Sequence, residues 1–395
     1  MSKSVRKKII LGVCTLITVA LCTSCGGRKV PEIGENLVST EEREIPVAQD
    51  EVIGVLLPNK TDERWEKDAD NIEKNLKNLG YEAEIEFAVN NSYTQERQIR
   101  DMLKDGIDCL VVCPVNSQIL MDVLKEAKER KVPVIAYDRM IMDTDAVRYY
   151  ASFDNESIGN SIGMYIKEQA QLDQVRDNKE SRTIEFFMGS PDDNNAIRVY
   201  DGIMGVLKPY LEDGTLVVKS GRVEFEDTCI MRWSGYLAEK DVTYTLRSKY
   251  QDSDIDILCC ANDSIAGGVI AALEKEGYGK ENWPIITGQD AQISTVKEIM
   301  KGRQSMTVFK DTRILADKCV GMVQAVLEQT EPEINNRNSY HNGVITVPSY
   351  LCTTMTVDVE NYREILIDSG YYKENQLLSV IGSMNNNSQQ MDGAE

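Results

Sequence analysis

The sequence predicts an α/β protein made of two doubly wound parallel-sheet halves. Three observations carry that prediction. Short apolar runs rich in β-branched residues alternate with amphipathic stretches of helical spacing along most of the chain. The alternation restarts in mid-chain, near Phe153. Polar side chains, above all Asp and Asn, recur wherever a strand-like run ends. An open parallel sheet presents all those ends on one side, which is where it binds ligands.

The bulk numbers agree with a folded, acidic protein of about two domains. Of 395 residues, 42% are hydrophobic and 27% charged, as in ordinary globular chains. A net charge of −20 argues against a nucleic-acid partner, because phosphates need a basic face. A single His, His341, nearly excludes a His-based triad or a His-rich metal site.

Taken in order, the chain opens with a targeting segment over 1–25. Lys3, Arg6, Lys7 and Lys8 precede an apolar run over 9–21 that is short for a membrane span. Leu21-Cys-Thr-Ser-Cys25-Gly-Gly then resembles a bacterial lipoprotein cleavage site, with Cys25 the residue that would carry lipid. That places the protein outside the cytoplasmic membrane, anchored to it. Residues 26–50 mix charge, Pro and Gly without periodicity and read as a flexible tether. The tail over 381–395 is polar, of low complexity, and expected to be disordered.

Between these ends the first half reads as strand 52–57, helix 65–79 stopping at Gly80, strand 82–89, helix 94–104, strand 108–113 and helix 118–131. Strand 132–137 follows, an apolar run suited to burial on both faces, and then a short strand over 149–152. Asn155 is expected to cap a helix through 168. The second half reads as strand 183–188, helix 195–211, strand 215–219, helix 233–249, strand 255–260, helix 264–276, strand 285–287, helix 291–301 and strand 306–309. Seven cysteines lie beyond the targeting segment, several in these apolar runs. They read as small buried hydrophobes and not as a disulfide framework.

Six strand ends carry the polar residues. They are Arg64-Trp65 after 57, Asp138-Arg139 after 137, Asp193-Asn-Asn195 after 188, Asn262-Asp263 after 260, Gln289-Asp290 after 287, and Lys310 after 309. Each alone could be a turn former or a cap. Together, two sheets facing each other would surround one cleft with Asp, Asn, Arg and Lys. Carboxylates and amides accept from vicinal hydroxyls, and Arg and Lys donate to hydroxyl and ring oxygens, so the inventory suits a neutral polyol. Trp65 and Trp233 could supply flat walls for a sugar's C–H face, whereas Trp283 reads as packing.

These same stretches, with Phe-Asp-Asn-Glu at 153–156, Leu-Lys-Pro-Tyr at 207–210 and Phe-Lys310-Asp-Thr, resemble bacterial xylose-binding and multiple-monosaccharide-binding proteins of ABC importers. The resemblance runs over 52–374. It implies a type I periplasmic-binding fold whose lobes, 51–153 with 310–346 and 154–309 with 347–380, join through a three-strand hinge near 153–154, 309–310 and 345–350. It implies sugar contacts at Arg64, Trp65, Asp138, Arg139, Asp193, Asn195, Trp233, Asn262, Asp290 and Lys310, and no cofactor. Its partners would be a monosaccharide, xylose or a related aldose, and an ABC permease. A membrane histidine kinase or chemoreceptor is the alternative partner. An enzyme is disfavoured: a glycosidase pair such as Asp138 and Asp290 needs one carboxyl with a raised pKa, and here Arg139 and Lys310 are the expected neighbours. A calcium loop at Asp252-Ser-Asp254-Ile-Asp256 lacks the required turn Gly, so no metal is expected.

Overall fold

A computed structural model describes residues 51–377. The targeting segment with Cys25, the tether and the polar tail lie outside the described residues.

The first half is a wholly parallel six-stranded sheet. In chain order it contributes β1 (Val52–Leu57), α1 (Glu63–Asn78), β2 (Glu82–Phe87), α2 (Ser92–Asp105), β3 (Cys109–Val112), α3 (Met121–Glu129), β4 (Val134–Tyr137) and β5 (Val147–Phe153). The second half adds α4 (Asn155–Gln169), α5 (Leu172–Asp177), β6 (Arg182–Phe187), α6 (Asn194–Glu212), β7 (Leu216–Val217), α7 (Phe225–Thr228), α8 (Gly235–Lys249), β8 (Ile257–Cys260), α9 (Asp263–Lys275), β9 (Ile285–Ile286), α10 (Ile293–Met300) and β10 (Met306–Phe309). After these come α11 (Thr312–Glu328), β11 (Ser349–Cys352) and β12 (Met355–Asp358).

Strand order in the first sheet is β11-β5-β4-β3-β1-β2, and in the second β7-β6-β8-β9, both parallel. β10 and β12 form an antiparallel ladder, which Val308 joins to Gln289. Strands β3, β4, β8 and β10 are buried along their whole length, which is why they read as unbroken apolar runs and not as alternation.

The chain passes from one half to the other after β5, after β10 and after β11. At the third, residues 347–352 are expected from the sequence in the second lobe, yet Ser349–Cys352 pairs with Tyr150–Phe153 of the first sheet. The backbone hydrogen bonds of that strand are met by β5, so the crossing falls beyond Cys352, before β12. A second correction concerns the α4 cap. Asp154, not Asn155, accepts from the Ser157 backbone N–H, at 3.1 Å. Helix α11, which the sequence reading did not mark, packs beside α1 on the first sheet.

Helices α4 and α6 pack against each other within the second half. Their backbones approach so closely that a Cβ on Gly159 would overlap the Val199 carbonyl, and one on Gly202 the Glu156 carbonyl. All seven cysteines in the described residues are free thiols, six of them buried and Cys229 partly so.

Candidate functional site

The carboxyl ends of both sheets open onto one cavity, and all ten residues named from the sequence line it. Arg64 and Trp65 reach it from the first turn of α1, and Asp138 and Arg139 follow β4. From the other half, Asp193 and Asn195 come from the start of α6 and Trp233 from the short turn before α8. Asn262 precedes α9, while Asp290 and Lys310 follow β9 and β10.

Helix capping and cavity lining coincide at two of these positions. Asp193 accepts from the Asn195 backbone N–H (3.0 Å) and Asn262 from that of Ile265 (3.0 Å). In Asn262 the amide nitrogen stays available, because capping uses only the oxygen.

Buried charges dominate the site. The Arg64 guanidinium is 9% exposed and faces three carboxylates. It is in direct contact with Asp138, 3.4 Å from Asp290 and 3.4 Å from Asp68, four residues on along the same helix. Lys310 Nζ lies 2.6 Å from Asp290, and Arg139 Nε 2.8 Å from Asp193. Arg139 therefore pairs across the cavity and not with its neighbour Asp138. Trp233 Nε1 also donates to Asp193, at 3.1 Å.

These partners set the protonation states. Burial pushes the Asp138 carboxyl up, but Arg64, Lys310 and Arg139 outweigh it and hold the group below its usual range. Burial wins at Asp193, whose carboxyl is raised despite Arg139. Burial lowers the Arg64 pKa, but Asp138, Asp68 and Asp290 more than reverse this, so the guanidinium stays charged. Asp68 is pushed up to about 7, chiefly by burial, although Tyr137 donates to it at 2.5 Å.

Backbone geometry aims the side chains. Asp138 (φ 59°), Trp233 (φ 56°) and Asp290 (φ 98°) all occupy the left-handed half of backbone space, which costs residues with a Cβ of order 1 kcal/mol or more each. The Asp138 turn is fastened by its carbonyl, which accepts from Tyr150 Oη (2.7 Å), Ser152 Oγ (2.6 Å) and Asn195 Nδ2 (2.9 Å). The last of these bridges the two halves, as does Ser117 N–H to the Asp192 carbonyl at 3.0 Å. Gly189 leaves room for the indole: a Cβ there would overlap the Trp233 ring. Trp65 stacks beneath two guanidinium groups, Arg64 at 4.7 Å and Arg139 at 5.3 Å. Trp283, read as packing, borders the core of the second half and donates to the Arg303 carbonyl at 2.7 Å.

Several lining residues were not among the ten named from the sequence, among them Asn59, Asn90, Ser190 and Gln292. Asn90 follows β2, so the strand-end rule would have found it, and Gln289, marked beside Asp290 by that rule, lines the cavity as well. Asn59 is held by its own turn, where its side-chain oxygen accepts from the Thr61 and Asp62 backbone N–H groups at 2.8 and 2.9 Å. The site thus alternates ionised acceptors, ionised donors and amides around two indoles. Among the described residues no group of three or more His, Cys, Asp or Glu could hold a metal ion.

Known proteins share this architecture. Residues 53–331 match the family described as the periplasmic binding protein domain. Over 327 residues the chain is 40% identical to the multiple sugar-binding periplasmic receptor ChvE of Rhizobium radiobacter, which covers 82% of this chain and 92% of that protein. It is 35% identical over 331 residues to the D-xylose-binding periplasmic protein of Escherichia coli (strain K12), covering 84% and 93% respectively. An ABC transporter solute binding protein from Clostridium phytofermentans, solved with bound β-D-glucose, aligns at 45% identity with a TM-score of 0.80, over 83% of this chain and 100% of that one. With its family match, its relatives and its twin parallel sheets around one cavity, the chain belongs to the periplasmic binding protein family and has the type I fold.

Proposed function

We propose that this protein is a lipid-anchored, extracytoplasmic receptor that encloses one monosaccharide, xylose or a related aldose, and passes it to an ABC permease. It is a carrier, not an enzyme. The observation that carries the reading is the convergence of all ten residues on one cavity, with ionised acceptors and donors spread around it. Such charge-assisted hydrogen bonds to hydroxyls are worth about 1.5–3 kcal/mol each when water is excluded. The relatives support a pyranose in particular: one is named for xylose, one for multiple sugars, and one was solved with glucose.

In this reading Asp138 and Asp290 accept from hydroxyls, and Arg64, Arg139, Lys310 and the Asn262 amide donate. Trp65 and Trp233 cover the C–H faces. Closure is favoured because the sugar contacts both halves at once, which an open form cannot match. Titration calorimetry with D-xylose, D-glucose, D-galactose and L-arabinose tests it. Saturable one-to-one binding of at least one is expected, and no binding of any would overturn the reading. Cys25 would carry the anchor: wild type is expected in the membrane fraction and Cys25→Ala in the soluble one. Co-purification with a permease, and not a sensor kinase, is the expected partner result.

A further inference from the structure

Asp263 is a buried carboxylate of the second half that accepts three hydrogen bonds, yet it does not line the cavity. It follows Asn262 directly and is 2% exposed. Its Oδ1 accepts from Gln304 Nε2 and from Thr307 Oγ1, both at 2.9 Å, and its Oδ2 from the Gln292 backbone N–H at 2.9 Å. Its own backbone N–H donates to the Gln289 carbonyl at 3.1 Å. The Thr307 hydroxyl passes the connection on, accepting from the Ala291 backbone N–H at 3.1 Å. Gly288 runs so close that a Cβ there would overlap Asp263 Oδ1 and Gln304 Nε2.

The loop over 288–292 is therefore tied to Asp263, or to a group Asp263 holds, at nearly every residue. That loop contains the left-handed pair Asp290 (φ 98°) and Ala291 (φ 49°). Strained backbone of this kind persists only where its surroundings over-determine it. Here the ties do so, and the strained residue is the one that presents its carboxylate to Lys310 and Arg64.

We infer that Asp263 is a positioning residue for ligand recognition: through Thr307 and the backbone of 288–292 it holds the Asp290 carboxylate at its cavity-facing angle. This rests on the monosaccharide reading above. No Lys or Arg of the described residues forms an ion pair with Asp263. The titratable groups that face it are Asp290 on the loop, the Cys260 thiol on β8 and the Tyr372 phenol. Dipoles alone hold its charge. All three hydrogen-bond partners of its carboxylate, two side chains and one backbone N–H, are donors, so a proton on Asp263 sets donor against donor and loosens the loop. Burial and Asp290 push the group up to about 7, so this loosening falls in the neutral range.

The test compares wild type, Asp263→Asn and Thr307→Val by calorimetry with whichever of the four sugars wild type binds best, well below every Tm. Asp263→Asn keeps the shape but turns an amide N–H₂ toward donors, and is expected to weaken binding about tenfold or more. Wild-type affinity is expected to rise between about pH 6 and 8 as Asp263 ionises, and the Asn variant to be flat there. In an Asp290→Asn background the same substitution should cost little further, because its effect runs through Asp290. A purely structural role would lower Tm and leave affinity, pH profile and coupling unmoved, which would overturn the inference. If Asp263→Asn does not fold, Thr307→Val decides: it cuts the same link while keeping the charge, and wild-type affinity in it would overturn the inference. A wild-type protein that binds none of the sugars overturns the functional reading as well. A wild type that binds, with Asp263→Asn equal to it, overturns the positioning role alone.

Discussion

The two walls of the cavity bury charge in different ways. The first wall uses ions: Arg64 sits among Asp68, Asp138 and Asp290, with Asp68 behind it in the helix at ion-pair distance. The second wall uses dipoles: Asp263, behind Asp290, is held by an amide, a hydroxyl and a backbone N–H, without a cation. Both backing carboxyls are pushed up to about 7, in each case mainly by burial. The same displacement thus arises with a guanidinium present and with none. At Asp68 the cation fails to cancel desolvation because it is shared: four buried carboxylates, Asp68, Asp138, Asp193 and Asp290, face three cations, Arg64, Arg139 and Lys310. An ion-backed wall depends on every partner being present, whereas a dipole-backed wall depends on loop geometry.

The sharpest way to break this contrast is Arg64→Ala. It strands Asp68 and Asp138 in a dry site, and urea unfolding of the sugar-free protein should show a loss of about 3–5 kcal/mol, with sugar binding abolished. A loss near that of an exposed substitution would mean that the first wall is not held by ions. Next in size is Asp290→Ala, which removes a doubly paired acceptor from the other wall. Calorimetry should register a loss of about 3 kcal/mol in sugar affinity. Wild-type affinity in that variant would remove Asp290 from the site.

A smaller effect reads the surplus charge directly. Asp68 and Asp263 both have folded-state values above their unfolded ones, so the folded protein holds protons that the unfolded chain releases. The stability they contribute is full at acid pH, below the ordinary carboxylate range, and is lost as pH rises through about 7. Asp68→Asn removes one of the two groups. Its stability profile over that window should be shallower than wild type by up to about 1.4 kcal/mol per pH unit. Parallel profiles would show that Asp68 is not the proton acceptor. Smallest is Trp233→Phe, which keeps a flat wall but deletes the N–H donated to Asp193. A loss of about 1 kcal/mol in sugar affinity is expected, and a much larger one would mean that Trp233 also orders the loop around it.

How much of this could be read in advance follows from the physics of each part. The alternation of strands and helices was legible because parallel strands buried on both faces leave unbroken apolar runs. The cavity was legible because such strands end on one side, so Asp138, Asn262, Asp290 and Lys310 follow by rule. The last crossing was not: Ser349–Cys352 is four residues long, and only its pairing with β5 reveals which half owns it. Asp263 was marked at its strand end but given no role, for a similar reason. It is adjacent to Asn262, and a sequence does not say which of two consecutive polar residues turns into the cavity and which into the core. Asp68 could have been found, since its spacing of four from Arg64 puts both on one face of α1.

The buried thiols have a practical consequence. Burial drives the Cys113, Cys260 and Cys319 thiols well above their ordinary range, and Cys109, Cys259 and Cys352 are shifted the same way. A maleimide dye needs a thiolate it can reach, and of the described cysteines only Cys229 is partly exposed. With Cys229→Ser as background, one new cysteine at the cavity mouth would take a fluorophore almost alone, turning the folded domain into a reagentless optical gauge of its ligand.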